Sequence, residues 1–420
     1  MAVGRRAAAG AALVLLLVAS ACSSPQANRV RHSVATTSTP TTSAPTTTTL
    51  PSAVPTTVPT PVVPTVGWSR PATTLPPAGG FTSVSCISVV FCLATGGGSN
   101  EADAADATGP GVIASWDGAA WSASATYFAT APGNAPPPWL PAISCTGGPL
   151  CAVVDGSGHT TLGDGTTWSP PAPLAAASAG SAGSPNPADP GPGHQGSRSA
   201  AVSCPSSQFC AYVDNTGHVA TLHGRSWSAL QAFTTRVGTS TVALFQSGRV
   251  GVSCTGPSWC TAMVGASVLD FDGTSWSVSD APWTSGPTSG DTAVSCPMTR
   301  VCIAVHGFSV SVRLPGSAWS TPRAVDGNGS LDSVSCPTIA TCTAADAYGN
   351  VIRSTGTTWT APQKVIPTAS SYGGDGTSVS CPSEQFCMVL NGDGDFATYQ
   401  GVTPPTPTTT LPAVVAPTGP

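Results

Sequence analysis

The chain has 420 residues, of which 40% are hydrophobic and 8% are charged, and its formal net charge is −5. With so few charged side chains, the chain has few candidates for a catalytic acid or base. Its negative net charge disfavours nucleic acid as a partner. Fourteen of the fifteen cysteines form regular pairs, which indicates an oxidising compartment outside the cytosol.

The N-terminus has the pattern of a secretory signal peptide over residues 1–21. Arg5 and Arg6 precede an apolar run at residues 7–18, which is too short to span a bilayer, and small residues follow at 19–21. This segment resembles the lipobox of bacterial lipoproteins. The resemblance implies cleavage before Cys22, a lipid on that cysteine, and a location on the outer face of the cell membrane. Ordinary cleavage at the same small residues, followed by plain secretion, is the alternative.

Two segments have the composition of extended linkers. Residues 22–65 become almost entirely Thr, Pro, Ser, Ala and Val from about residue 35, and residues 403–420 repeat that composition at the C-terminus. Such segments cannot bury enough apolar surface to fold. We therefore expect a disordered stalk and a disordered tail, with or without O-linked glycans on their threonines.

Between these linkers, fourteen cysteines form seven Cys-x5-Cys pairs, each opening one sequence repeat. The pairs are Cys86/Cys92, Cys145/Cys151, Cys204/Cys210, Cys254/Cys260, Cys296/Cys302, Cys336/Cys342 and Cys381/Cys387. We expect one local disulfide per repeat. Zinc sites normally have two to four residues between paired ligands, and redox motifs are normally Cys-x-x-Cys. The Cys-x5-Cys spacing therefore argues against both.

Each repeat reads as four short antiparallel strands. In the third repeat, alternating segments flank Cys204 and Cys210, the Asp214 to Gly217 turn follows, and Trp227 opens the last strand. Four-stranded units repeated seven times predict an all-β, seven-bladed β-propeller over residues 66–402. The repeat tryptophans and the aromatic residue before each second cysteine are expected to pack between blades.

The closure of the ring is also predicted. The seventh repeat has no Trp strand, because the linker composition begins where that strand should be. Residues 66–71, with Trp68 and Ser69, match the missing strand and precede the first cysteine pair. We expect them to complete the last blade, since three strands alone would leave an open edge.

The third turn of two repeats carries a short motif, Asp164 to Trp168 and Asp272 to Trp276. These stretches resemble the Asp-box turn of sialidase-type propellers, and the repeat plan is also similar to kelch-like propellers. The resemblance implies a propeller fold and carries no activity with it.

Function is expected on the face formed by the second turns and the connections between blades, because these vary most in length. The candidate ligand-contacting aromatics there are Tyr127, Trp139, Trp283 and Tyr372. Exposed aromatic side chains stack on sugars or anchor proteins. For any single residue, folding back onto its own loop is the alternative.

No catalytic, cofactor-binding or metal-binding motif is recognised. Two hypotheses remain: a non-catalytic envelope protein that binds a glycan or protein partner, or a glycan-active hydrolase or lyase with an unrecognised carboxylate pair. The enzyme requires two acidic groups converging within about 10 Å in a pocket. The binding protein requires an aromatic, largely uncharged surface.

Overall fold

The structure is a computed structural model that describes residues 67–73, 81–96, 111–127, 141–148, 150–156, 158–175, 199–237, 240–243, 248–283, 291–327, 329–368 and 376–401. All of them belong to the unit Val62–Pro420. The predicted signal peptide, Cys22, the stalk and the C-terminal tail lie outside the described residues. No helix in the described ranges is long and apolar enough to cross a membrane.

Seven of the eight antiparallel sheets in the described residues are blades, one for each cysteine pair, which confirms the predicted seven-bladed propeller. Two N-terminal strands and the first three blades come first along the chain. Their strands are β1 (Gly67–Trp68), β2 (Ala72–Thr73), β3 (Phe81–Ser88), β4 (Phe91–Gly96), β5 (Gly111–Trp116), β6 (Trp121–Tyr127), β7 (Ala142–Cys145), β8 (Cys151–Val154), β9 (His159–Gly163), β10 (Ala172–Pro173), β11 (Ala200–Ser206), β12 (Phe209–Asp214), β13 (His218–His223), β14 (Ser226–Trp227) and β15 (Gln231–Ala232).

A separate hairpin, which the sequence analysis did not predict, precedes the last four blades. The hairpin and these blades contain β16 (Thr234–Val237), β17 (Ser240–Ala243), β18 (Gly251–Gly256), β19 (Trp259–Val264), β20 (Ser267–Phe271), β21 (Trp276–Asp280), β22 (Thr292–Met298), β23 (Val301–His306), β24 (Ser309–Arg313), β25 (Arg323–Ala324), β26 (Leu331–Ser335), β27 (Thr343–Asp346), β28 (Asn350–Thr355), β29 (Thr358–Trp359), β30 (Gln363–Lys364), β31 (Ser378–Ser383), β32 (Phe386–Leu390) and β33 (Asp395–Gln400).

The core lies between the blades. Among the described residues, the buried hydrophobic side chains form seven clusters, and each cluster draws its members from two adjacent blades. Phe91 of blade 1 packs on the cluster that it shares with blade 2, and Phe386 of blade 7 packs into the cluster of blade 1. The predicted role of the repeat aromatics as packing between blades is therefore confirmed.

A ring of serine side chains joins the inner strands. The serine before the first cysteine of each blade accepts a hydrogen bond from the backbone N–H of the first cysteine in the next blade, at 2.9–3.0 Å. The last of these joins Cys86 to Ser380 and closes the ring between blades 7 and 1. We call this set the serine ring: Ser85, Ser144, Ser203, Ser253, Ser295, Ser335 and Ser380.

The N-terminal segment completes blade 7, as predicted. Gly67 and Trp68 of β1 pair with Gln400 and Tyr399 of β33. The Trp68 and Tyr399 rings lie 5.6 Å apart between centroids. Blade 7 thus gains its outer strands from the start of the domain.

In several blades the outer strand is interrupted at a feature that we call the Trp-Ser clip. In this clip, the residue after the tryptophan makes two hydrogen bonds to the backbone of one residue in the third strand. In blade 7, Ser69 donates its backbone N–H to the Thr398 carbonyl oxygen at 2.7 Å, and the Ser69 hydroxyl oxygen accepts the Thr398 N–H at 3.0 Å. The equivalent residues are Ser169, Ser228, Ser320 and Thr360. Because the N-terminal segment makes the same clip as the internal repeats, it is a true fourth strand.

All seven predicted disulfides are formed, and each joins the first two strands of one blade. The bonded pairs are Cys86–Cys92, Cys145–Cys151, Cys204–Cys210, Cys254–Cys260, Cys296–Cys302, Cys336–Cys342 and Cys381–Cys387. Closing so short a loop contributes about 2 kcal/mol per bridge in the chain-entropy description. Seven disulfides fit an oxidising, extracytoplasmic environment.

The two cysteines of a pair differ in burial, which the sequence analysis did not predict from their equal spacing. The second cysteine lies in or beside the second strand, which has a neighbouring strand on each side, and its side chain is at most 2% exposed. These fully buried cysteines are Cys92, Cys151, Cys210, Cys260, Cys302, Cys342 and Cys387. They are therefore structural residues of the blade interior and do not contribute to a ligand-contacting surface.

The third turns, on the opposite side of the ring from the blade connections, include the Asp-box-like motifs. Asp272 accepts the backbone N–H groups of Thr274 and Ser275 at 2.9 and 2.8 Å. The Thr274 hydroxyl and these backbone donors lower the pKa of the exposed Asp272 to about 2. Every contact here lies within the turn, so the aspartate shapes the turn.

Candidate binding face and channel mouth

The second turns and the blade connections lie together on one face of the ring, which we call the mouth face. Backbone hydrogen bonds join them: the connection residues Val325 and Val365 donate to the second-turn carbonyls of Phe308 and Gly349. The connections are therefore tied to the turns of their own blades. A ligand that binds this face would contact both the second turns and the blade connections.

Four second turns share one aspartate or asparagine cap. In blade 3, Asp214 Oδ1 accepts the backbone N–H of Thr216 at 2.9 Å and of His218 at 3.0 Å. Gly217 takes the left-handed conformation, with φ of 78°, that the turn requires. The capping residues are Asp155, Asp214, Asp346 and Asn391.

The histidines of blades 2 and 3 belong to these turns. His159 Nδ1 lies 3.3 Å from Asp155 Oδ2, and His218 Nδ1 lies 3.2 Å from Asp214 Oδ2. Hydrogen bonding to the aspartate raises the pKa of each histidine, against the opposing effect of its partial burial. Both histidines are the first residue of a third strand, His159 of β9 and His218 of β13.

The centre of the mouth face is filled by Arg249, which lies just before β18 of blade 4. Its Nη1 donates to the Thr82 carbonyl oxygen of blade 1 at 3.1 Å, and its Nη2 donates to the Gly376 carbonyl oxygen of blade 7 at 3.4 Å. One guanidinium therefore reaches across the mouth of the central channel.

Two carboxyl groups meet beside this arginine. Asp291, just before β22, accepts the Arg249 backbone N–H at 2.7 Å, and Asp332 of β26 accepts the Thr377 backbone N–H at 3.0 Å. Burial and the Asp291 carboxyl raise the pKa of Asp332 well above its usual range, whereas Arg249 opposes that shift.

A cavity of about 150 Å³ lies at this point, and its walls come from the inner strands of all seven blades. Serines and small apolar residues line most of it. Arg249 and Asp332 are its charged lining residues among those described, and the Asp332 side chain is only 4% exposed. The cavity can hold small polar molecules, but the carboxyl groups at its rim are already engaged with the protein.

A second carboxyl pair lies under the mouth face in blade 6. Asp326, in the connection from blade 5, and Asp346, at the end of β27, are both buried, and a carboxyl oxygen of each lies beside Gly329. Asp346 also accepts the backbone N–H and the side-chain amide of Asn350 at 2.7 and 2.6 Å. Burial, the largest effect, raises the pKa of Asp346.

Two aromatic side chains are exposed on the mouth face, in the second turns of neighbouring blades. Phe308 of blade 5 is 57% exposed and Tyr348 of blade 6 is 49% exposed. The backbone carbonyl of Tyr348 accepts hydrogen bonds from Lys364 Nζ and from the Thr368 hydroxyl, which fixes the turn without using the ring. Neither ring belongs to the apolar clusters between blades, in which the repeat tryptophans pack.

Of the aromatics expected at this face, Trp283 is the one whose side chain the structure describes. Its ring stacks on His306 with centroids 5.0 Å apart, and its indole N–H donates to the Gly265 carbonyl oxygen at 3.1 Å. Trp283 is half-buried and packs between blade 4, where its indole N–H is bonded, and His306 of blade 5. Tyr127 ends β6, whereas Trp139 and Tyr372 lie outside the described residues.

The sequence analysis missed Phe308, Tyr348 and Asp332 as residues of the mouth face. Phe308 and Tyr348 occupy the turn positions held by small or polar residues in other repeats, and that aromatic substitution is the signal that could have identified them. Asp332 carries no local motif. Its convergence with Asp291 and Arg249 depends on three different blades meeting at the channel.

No metal site is evident in the described ranges, because they contain no group of three or more His, Cys, Asp or Glu side chains placed to ligate an ion. The opposite face carries exposed aliphatic residues in blades 5 and 6, namely Met298, Leu314 and Ile339. Exposed aromatics are thus found on the mouth face and exposed aliphatics on the other.

No protein-family model and no curated protein matches the chain. Among solved structures, YCF48 bound to D1 peptide is similar with a TM-score of 0.50 and 12% identity, over 80% of this chain and 97% of that one. YCF48 from Cyanidioschyzon merolae gives a TM-score of 0.50 and 16% identity, over 80% and 98%. Virginiamycin B lyase from Staphylococcus aureus gives 0.52 and 4%, over 80% and 100%. These similarities establish the β-propeller fold.

Proposed function

We propose that this chain is an exported, non-catalytic binding protein of the cell envelope, and that its mouth face binds a protein partner. In this proposal, the signal peptide covers residues 1–21, Cys22 carries the lipid anchor, and residues 22–65 hold the propeller away from the membrane. Plain secretion is the alternative to the anchor, and a glycan is the alternative to the protein partner.

The observation that carries the proposal is the pair of exposed aromatic side chains, Phe308 and Tyr348. Each is about half exposed in a hydrogen-bonded turn, so its ring is presented by a rigid backbone. Aromatic residues dominate binding hot spots because they bury a large area at a low cost in conformational entropy. Because the two residues lie in adjacent blades, one partner can contact both rings.

A protein partner is favoured over a glycan by two further points. A propeller of similar fold, YCF48, has been seen with a peptide of D1 bound, so the architecture can accept peptides. Glycan stacking usually uses an aromatic ring beside several free polar side chains, whereas Asp346 and Asn350 next to Tyr348 are bonded to each other.

The alternative of a glycan-active hydrolase or lyase gains no support from the described residues. Asp291 and Asp332 converge at the channel mouth, but each carboxyl group already accepts a backbone N–H, from Arg249 and from Thr377 respectively. Asp332 is also almost wholly buried, so a substrate could not reach it without rearrangement.

The test uses the full exported chain in crosslinking on intact cells, with parallel binding to arrays of envelope peptides and cell-wall glycans. A Phe308→Ala/Tyr348→Ala variant should lose at least about tenfold in affinity for the partner. The matched control is Met298→Ala/Ile339→Ala, which removes similarly exposed side chains from the opposite face of the same two blades. Equal loss in both variants, or retained binding in the first, would contradict the proposal.

The anchor is tested separately by metabolic labelling with a fatty acid analogue. The wild-type chain should incorporate the label and fractionate with membranes, whereas Cys22→Ser should be unlabelled and soluble. Unlabelled wild-type protein in the culture medium would support plain secretion instead. The array results do not depend on this outcome.

A further inference from the structure

A second and larger cavity lies between the outer strands of blades 2 and 3, and we call it the side groove. Its volume is about 750 Å³, and none of its described lining residues also lines the cavity at the channel mouth. Blade 2 supplies residues of β9 and of the segment that follows it, whereas blade 3 supplies Arg225 and Trp227. Asp164 and Pro170 on one side and Arg225 on the other are exposed, so the groove is open to solvent.

Equivalent spaces between other blades are filled by the protein's own side chains. Between blades 4 and 5, Arg313 donates to the Asp270 carboxylate at 2.7 Å and lies 4.8 Å from the centre of the Trp319 ring. Between blades 6 and 7, the Arg353 guanidinium lies 3.5 Å from the centre of the Tyr399 ring. Each of these two spaces is therefore occupied by an arginine that contacts the neighbouring blade.

Blades 2 and 3 have short apolar side chains at the positions that correspond to the ion pair of blades 4 and 5. Leu162 has the strand register of Asp270, one residue before the partner of the second cysteine. Leu222 has the register of Arg313, directly opposite that cysteine. Both leucines pack in the apolar cluster between blades 2 and 3. Because neither position carries a charged side chain, the outer part of this space stays open as the side groove.

Arg225 is an unusual residue for its position in the repeat. It stands two residues before the repeat tryptophan, where the other blades with a tryptophan after the third turn have small residues, namely Ala119, Thr166, Thr274, Ser317 and Thr357. Arg225 is exposed and makes no hydrogen bond or ion pair within the described part of the chain. Its guanidinium can therefore donate to a ligand that offers oxygen acceptors.

An anion and an aromatic ring complete the lining of the side groove. Asp164 accepts the backbone N–H groups of Thr167 and Thr166 at 2.7 and 2.8 Å, and these donors hold its pKa well below its usual range. Its carboxylate is ionised at neutral pH, and in the described residues it forms no ion pair with Arg225. The half-buried Trp227 packs on the cluster between the two blades and also lines the groove.

A sugar ring matches this combination of an apolar ring, a cation and an anion. The C–H face of a sugar packs on an indole, while its hydroxyl groups can both accept from a guanidinium and donate to a carboxylate. Because the two charges of the described lining cancel, a neutral sugar fits better than an acidic one, which Asp164 would repel. A proline-rich peptide also binds aromatic grooves, but proline has no N–H to donate to Asp164.

We propose that the side groove binds a neutral saccharide unit of a glycan: the sugar packs against Trp227, accepts hydrogen bonds from Arg225 and donates to Asp164. The side groove shares no residue with the aromatic pair of the mouth face. The glycan site is therefore independent of the protein partner proposed there, and either can fail without the other. The propeller then has two ligand surfaces, one at its outer edge and one at its mouth.

The test applies the full exported chain to an array of neutral oligosaccharides, uronic-acid oligosaccharides and proline-rich peptides. The neutral set contains hexose, pentose and N-acetylhexosamine units. The wild type should bind a neutral oligosaccharide, and Arg225→Thr, which introduces the residue of blades 2, 4 and 6, should weaken that binding about tenfold. Arg323→Thr is the matched control, because it removes an exposed arginine from blade 5. The control and Phe308→Ala/Tyr348→Ala should bind the oligosaccharide as the wild type does.

A second measurement uses the wild-type chain alone. A diazirine derivative of the bound oligosaccharide should crosslink on illumination to residues 160–172 or 225–227. Failure of every neutral oligosaccharide to bind, or binding of proline-rich peptides alone, would overturn the proposal. So would equal affinities of Arg225→Thr and the wild type, an equal loss in Arg323→Thr, or crosslinks confined to the mouth face.

Discussion

The Arg249 guanidinium donates a hydrogen bond to the Thr82 carbonyl oxygen across the mouth of the central channel, although 167 residues separate the two along the chain. Blade 4 and blade 1 stand three blades apart around the ring, so no packing between neighbouring blades provides this link. The same side chain reaches the Gly376 carbonyl oxygen of blade 7. A single residue therefore ties three blades together at one end of the channel.

Replacing Arg249 with methionine should lower the free energy of unfolding by about 3 kcal/mol, because the substitution removes these hydrogen bonds and the positive charge beside the Asp291 and Asp332 carboxyl groups. Urea unfolding measures the change. Arg323→Met is the control, since this exposed arginine makes one bond to the Thr357 carbonyl oxygen at 3.3 Å and should change stability by about 0.5 kcal/mol or less. If the free energy of unfolding fell by similar amounts in the two variants, the Arg249 hydrogen bonds across the channel mouth would not be what stabilises the fold.

The serine ring predicts that removing one serine hydroxyl between two adjacent blades lowers the free energy of unfolding. Ser295→Ala leaves the Cys336 N–H without its acceptor and should destabilise the protein by about 2 kcal/mol. Ser122→Ala is the matched control, because its exposed hydroxyl bonds only the exposed Ser115 hydroxyl at 3.0 Å. Denaturant unfolding that gave the same midpoint for both variants would contradict a structural role of the ring.

The strand donated by the N-terminus should stabilise the whole propeller. Deleting residues 66–71 removes the pairing of β1 with β33 and should lower the melting temperature of the entire domain in one transition. Trp68→Ala should cost about 2 kcal/mol or more, since it removes the ring that packs on Tyr399. Arg70→Ala, at an exposed position of the same segment, is the control. Unchanged melting of the deletion variant would refute the closure.

The histidine turns predict a defined pH response. Because Asp214 raises the pKa of His218, the stabilisation from this pair is fully present below the ordinary histidine pKa of about 6.5 and is lost as pH rises through the folded-state value. NMR titration of the imidazole protons should place His159 and His218 above that ordinary value. Asp214→Asn should lower the His218 midpoint and leave His159 unchanged; an unchanged His218 midpoint would exclude the carboxylate as the cause.

The sequence by itself determined the blade count, the disulfide pairing and the closing strand. Each follows from a local pattern that repeats: a cysteine spacing such as Cys204 to Cys210, a turn such as Asp214 to Gly217, and a Trp-Ser pair that reappears at Trp68 before the first blade. Local hydrogen bonding and strand alternation act over a few residues, so repetition makes them readable without coordinates. The serine of the serine ring also repeats in every blade, yet its partner lies in the next blade and was not identified.

Only the tertiary structure decided what occupies the channel mouth and which aromatics are exposed. Arg249, Asp291 and Asp332 come from separate repeats and have no motif in common, and only closure of the ring brings them together. Trp283 and Phe308 are both aromatic residues of loops in the sequence, but one stacks on His306 whereas the other faces solvent. Burial of a side chain depends on neighbours that are distant along the chain. Neither the alternation of residues along a strand nor the repeat of about forty residues specifies those neighbours.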